Sequence, residues 1–127
     1  MMNKEKIRTF VRETLGCTCP EEVFQYIDCQ SDIQAGDIRL RARINVGNRL
    51  LIYVADVDDP KSLRSLLPQL LEIGKKERDR LGFNRFRLVL TADHTGEIAE
   101  PAAEVFRDAA GDEKMHLHVV QKTDAPA

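Results

Sequence analysis

Nine residues near the middle of the chain constrain its fold more than any other stretch. Ile38, Leu40, Ala42, Ile44 and Val46 alternate there with Arg39, Arg41, Arg43 and Asn45. Successive side chains of a strand point to opposite faces, so strict alternation predicts a β-strand with one buried and one wet face. A helix would scatter the same residues around its axis. Gly47-Asn48 is a short turn signal, and it predicts that Leu50 to Val57 returns as an antiparallel partner. That second run is apolar at Leu50, Leu51, Ile52, Tyr53, Val54 and Ala55, the pattern of a strand covered on both faces. Its expected place is central.

The flanking segments supply the layers. Ile7, Phe10, Val11 and Leu15 form one stripe of a helix over residues 4–15, with Asn3 able to cap its start and Gly16 placed for a left-handed end. Pro20-Glu21-Glu22 reads as a turn into a first strand, about Val23 to Cys29, and Ser31 to Asp37 as a loop. Asp59-Pro60 opens a helix whose apolar face is Leu63, Leu66, Leu67, Leu70 and Leu71 and which Gly82 ends. Pro68 is expected to kink or split it. Phe86 to Thr91 is an apolar strand, and strand-helix-strand from Leu50 through Thr91 predicts parallel, right-handed pairing. A helix from Thr95 to Ala110, its start delayed by Pro101, and a strand from Met115 to Gln121 complete the pattern. The predicted fold is α/β (α+β), in the order α-β-β-β-α-β-α-β. It has a single mixed five-stranded sheet with helices packed on it, one domain over residues 1–121 and a loose tail over 122–127.

With 127 residues the chain fits one domain, and 43% hydrophobic residues fit an ordinary globular core. Lys plus Arg number 19 against 21 Asp plus Glu, a formal net charge of -2, which argues against a dedicated nucleic-acid binder. The charged start of the chain does not read as a signal peptide. Its longest apolar stretch, Leu50 to Val57, is too short to cross a bilayer, so no membrane partner is expected. Three cysteines, an odd number, suit a reducing compartment and a cytoplasmic location.

Four constellations could carry chemistry. Cys17 and Cys19, two positions apart with Cys29 further on, could hold zinc or iron, form a strained disulfide or leave one reactive thiolate, Cys19 being the better placed for the last. They could equally pack as small apolar side chains. Asp56, Asp58, Asp93 and His94 end the two strands expected to be parallel, with Asp59 and Glu97 beside them. Such a crevice suits Mg²⁺ or Mn²⁺, or a hydrolytic site with His94 as base. Helix capping and turn chemistry explain the same residues. The row Arg39, Arg41, Arg43, expected on one face, could contact phosphates, with Arg49 and Arg85 adding to it. It could also be a wet or protected sheet face. His116 and His118 point the same way along their strand and could share a metal if Asp28 or Cys29 supplied a third ligand.

The stretch Leu15-Gly16-Cys17-Thr18-Cys19-Pro20-Glu21-Glu22-Val23-Phe24 resembles the opening of a small uncharacterised prokaryotic family. That resemblance implies a cytoplasmic location and brings no activity with it. At the level of fold, helix, three strands, helix, strand resembles the core of the restriction-endonuclease-like nucleases. Those enzymes set an acid on one strand and an acid-x-lysine pair on the next. Here the corresponding strand reads Tyr53-Val54-Ala55-Asp56-Val57-Asp58, and Lys61 follows only after Pro60, so the resemblance implies no intact nuclease site. The balance of these features favours a non-catalytic binding or accessory protein, with Cys17 and Cys19 its most specific chemical feature. Pairing of two copies through the sheet face or edge is one form such binding would take. A metal-dependent hydrolase at the acidic cluster and a weak nucleic-acid binder at the arginine row are the alternatives.

Overall fold

The alternating run forms the strand Ile38–Val46, and the aliphatic run after it forms Leu50–Asp56. The structure, a computed structural model, describes residues 4–16, 20–57, 59–109 and 113–125. In chain order its main elements are α1 (Lys4–Thr9), β1 (Ile27–Ala35), β2 (Ile38–Val46), β3 (Leu50–Asp56), α2 (Leu63–Leu81), β4 (Arg85–Ala92), α3 (Thr95–Ala109) and β5 (Met115–Gln121). The sheet is mixed, five-stranded and ordered β1-β2-β3-β4-β5, so β3 is its middle strand. Its β1–β2 and β2–β3 pairs are antiparallel, and β3–β4 and β4–β5 are parallel. Among the described residues, no helix is long and apolar enough to cross a membrane.

Both faces of β3 are covered, which is why its residues 50–55 are all buried. On one face Leu51, Tyr53 and Ala55 meet Leu63, Leu67, Leu70 and Leu71 of α2 together with Phe86 and Leu88 of β4. On the other, Leu50, Ile52 and Val54 meet Ile7, Phe10 and Val11, with Val23 and Phe24 beside them. Leu63, Leu67 and Leu70 are 0% exposed, and burying each stabilises the fold by roughly 2 kcal/mol before chain entropy is counted. The α2 helix lies so close to the sheet that a β-carbon on Gly74 would stand within 2.6 Å of the Phe86 ring carbons.

Local departures from expectation have local causes. The first helix narrows to α1 and continues as a wider π-type turn, Phe10–Thr14, yet Ile7, Phe10, Val11 and Leu15 all reach the core. Gly16 adopts φ 68° as expected, whereas Asn3 lies outside the described residues. Val23 and Phe24 lie in a 3-10 turn, Glu21–Gln25, rather than in a first strand. Both are buried, which neighbouring residues of a strand cannot achieve against a single layer. Strand β1 starts later and absorbs the expected loop, pairing Ile33 with Leu40 and Ala35 with Ile38. Gly36, at φ 62°, turns the chain between the two strands.

Helix α2 runs unbroken through Pro68, and α3 begins at Thr95 with Pro101 inside it. Each proline lies near the N-terminal half of its helix, and Arg64, whose carbonyl loses a donor to Pro68, is exposed. The expected loose tail is packed as far as it is described: Lys122–Asp124 form a 3-10 turn, and Ala125 is 8% exposed against the α1-side core.

Candidate functional site

Parallel pairing brings the carboxyl ends of β3 and β4 together, with Asp56 opposite Thr91. The Thr91 hydroxyl, fully buried, contacts Asp56 Oδ1 and lies 3.3 Å from the Ala55 carbonyl oxygen. Arg41 of β2 approaches the same Asp56 oxygen at 3.5 Å. Asp93, just past β4, faces Lys122 Nζ at 3.5 Å. Asp59 accepts from the Lys61 amide at 2.9 Å, the cap expected of it. His94 is exposed, and its carbonyl accepts from the Glu97 amide in the first turn of α3. Asp58 lies outside the described residues. The structure therefore brings Asp56 and Asp93 to one sheet edge, each faced by a cation. Among the described residues, no three His, Cys, Asp or Glu side chains gather as a metal group.

Beside this edge a cleft of about 560 Å³ opens between α1, β2 and the C-terminal turn. Lys6, Arg41 and Lys122 contribute cations to it, Glu5 and Asp124 carboxylates, and Phe10 an apolar floor. A second concavity of about 410 Å³ joins Arg39, Arg41 and Asp56 to Ser31 and Asp32 on β1. Arg41 lines both.

The arginine row does not hold to one face. Arg39 Nε pairs with Asp32 at 2.6 Å, Arg41 turns to Asp56, and Arg43 Nε reaches Glu77 of α2 at 2.7 Å. Asp32 adopts φ 55° within β1, opposite Arg41, and the sides of the hairpin exchange there. Ala42, Ile44 and Val46 pack on the α1 side, whereas Leu40 and Ile38 pack with α2. A left-handed residue inside a strand twists the ladder, so strict alternation in sequence ceases to mean a single face. Arg49 and Arg85 lie where their backbone amides meet at the β2–β3 turn, with Arg85 N donating to the Arg49 carbonyl.

The histidine pair meets a different neighbour from the one expected. His116 and His118 lie on β5 and Cys29 and Asp28 on β1, the opposite edge of the sheet. Four strand spacings separate them, about 19 Å, too far for a shared metal. Arg87, on the adjacent strand β4, meets His118 instead, its Nη1 2.8 Å from His118 Nε2 and 3.0 Å from the Leu15 carbonyl oxygen. A guanidinium only donates, so Nε2 accepts and the imidazole is neutral with its proton on Nδ1. Burial, with Arg87 and His116 adding to it, lowers the His118 pKa to about 4. Burial and then Arg87 and Arg85 also lower that of His116.

Cys17 and Cys19 lie outside the described residues. Cys29 is half-buried beside the α1-side core, and burial raises its pKa, the reverse of what a reactive thiolate needs.

One polar cluster lies outside the four constellations of the sequence. Glu77 Oε1 accepts from the Tyr53 hydroxyl at 2.8 Å as well as from Arg43. Burial, and then the Glu77 carboxylate, pushes the Tyr53 phenol pKa up. The available signal was Tyr53 itself, since a phenol inside an aliphatic central strand needs a partner for its hydroxyl. Among known proteins, no family model matches the chain, and no curated protein matches it in sequence.

Proposed function

We propose that this chain is a non-catalytic binding or accessory domain of the reducing cytoplasm, and that its cleft at the carboxyl edge of the sheet takes an anionic ligand. The observation that carries the reading is the partner of Asp56 on the adjacent strand, which is Arg41. A nuclease-like or hydrolytic centre would set a second carboxylate there, to share a divalent cation. A guanidinium beside the acid supplies the opposite charge and repels such a cation. Asp93, faced by Lys122, repeats the arrangement. Lys6, Arg41 and Lys122 around one cleft outnumber its two carboxylates, Glu5 and Asp124, and Phe10 gives it an apolar surface.

Thermal melts with inorganic phosphate, and separately with Mg²⁺ and Mn²⁺, test this reading. Phosphate is expected to raise the melting temperature saturably, beyond sodium chloride of equal ionic strength, and Arg41→Gln is expected to remove the rise. A rise with Mg²⁺ or Mn²⁺ that Asp56→Asn abolishes would instead establish a divalent-cation site at Asp56, the premise of the hydrolase alternative. The absence of any phosphate effect would refute the anion cleft. The thiol or metal role of Cys17 and Cys19 is a proposal from sequence, and elemental analysis of protein purified without oxygen tests it.

A further inference from the structure

Arg43 is held differently from Arg39 and Arg41. Its side chain is only 16% exposed, against 71% and 21% for the other two. Glu77 braces it through Nε, and the same carboxylate holds the Tyr53 hydroxyl and faces Arg80 Nη2 at 3.6 Å. Two guanidinium groups thus share one carboxylate beside a neutral phenol, which leaves the cluster with one net positive charge. The contact of Arg43 with Glu77 runs through Nε, which leaves Nη1 and Nη2 outside that pair, and a hydrogen bond also links Arg43 to Tyr53. Those terminal nitrogens form a planar fork, the geometry that matches a carboxylate by two parallel hydrogen bonds.

The residue lines a cavity of about 420 Å³ between the β1–β2 hairpin and α2. Ile33, Leu40 and Ile73 make its apolar wall, and Gln30 and Gln34 belong to its exposed rim. The switch of faces at Asp32 builds this wall, because it turns Ile33 and Leu40 toward α2. The volume lies within the range of small-molecule sites, which combine apolar walls with a few fixed polar groups.

We propose that this cavity binds a small monocarboxylate with an aliphatic tail. The carboxylate meets the Nη1 and Nη2 fork of Arg43, and the tail lies along Ile33, Leu40 and Ile73. One negative charge neutralises the cluster. A dianion would leave excess negative charge beside half-buried Glu77, and a cation would meet the guanidinium. The proposal stands apart from the carboxyl-edge cleft, since Arg43 and Arg41 lie on opposite sides of the sheet.

Hexanoate and its neutral analogue hexanamide are suitable probes, read by backbone amide shifts in two-dimensional NMR. Hexanoate is expected to shift the amides of residues 30–36 and 73–77 saturably. Hexanamide should bind at least about tenfold more weakly, because it cannot offer two acceptor oxygens to the fork. Arg43→Lys, which keeps the charge and loses the fork, should weaken hexanoate by a similar factor. Arg43→Gln combined with Glu77→Gln removes both charges together and should abolish discrimination between the probes. Equal binding of acid and amide would overturn the proposal. So would hexanoate shifts confined to residues around Lys6, Arg41 and Lys122, or unweakened hexanoate binding by the double variant. The comparison in the unmodified protein decides the matter even if a variant fails to fold.

Discussion

Replacing Gly74 by alanine tests how closely α2 approaches the sheet. In an exposed helix interior the change would stabilise by about 1 kcal/mol, because glycine there costs backbone entropy. Here the new methyl would stand within 2.6 Å of three Phe86 ring carbons, closer than carbon atoms tolerate. The ring cannot simply withdraw. Phe86 is 0% exposed and packs edge-on against Tyr53, with ring centroids 4.9 Å apart, and Tyr53 is itself tied to Glu77. Either α2 lifts off the sheet or the aromatic pair rearranges, and overpacking of this kind costs up to about 3 kcal/mol. Subtracting the helix-propensity gain leaves a net loss of up to about 2 kcal/mol. At this chain length that lowers the melting temperature by up to roughly 8 °C. Urea unfolding followed by circular dichroism measures the loss, with Gly96→Ala in α3 as the control, because a β-carbon there meets nothing within 4 Å. If Gly74→Ala were as stable as the parent or more so, the close approach of α2 to Phe86 would be refuted.

Two further expectations concern charge. The folded pKa of His118, about 4, lies below the 6.5 of an ordinary histidine, so the unfolded chain takes up its proton first. The stability His118 contributes is complete above about pH 6.5 and falls as pH drops through that window toward about 4; His118→Gln should flatten the slope of unfolding free energy there, and an unchanged slope would contradict the assignment. Glu77→Gln leaves Arg43 mostly buried without its carboxylate and should cost about 1–2 kcal/mol, less than a fully buried pair. It should also lower the Tyr53 pKa in an ultraviolet titration without restoring the ordinary value, since burial persists, and no downward change would refute the Tyr53–Glu77 bond.

Much of the architecture is legible in sequence because periodicity is a local property that packing then uses. The alternation from Ile38 to Val46 gives β2, the continuous apolar run gives the middle strand β3, and Asp59-Pro60 starts the segment that becomes α2. Where two readings of a short stretch compete, the sequence is a poorer guide. Val23 and Phe24 suit a strand by propensity, but burying both requires a turn. Gly36-Asp37 is as good a hairpin signal as Gly47-Asn48, yet the polar residues around it disguise β1 as loop. The candidate sites were less legible. Asp56 is visible as a strand-end acid, but its neighbour Arg41 is known only once β2 and β3 are paired.

The sequence by itself determined the element order, the two-sided burial of β3 and the strand nature of the arginine run, since each follows from side-chain spacing along one segment. Tertiary structure decided which residues meet. One left-handed residue, Asp32, separates Arg43 from Arg41 and sends them to opposite sides of the sheet, to Glu77 and to Asp56. Strand order sets Cys29 and His116 on opposite edges and brings Arg87 to His118 instead. A two-residue period fixes directions only while the ladder is regular, and partners on other elements depend on register and twist. Chemistry in this chain therefore lies in long-range pairs that no local pattern encodes.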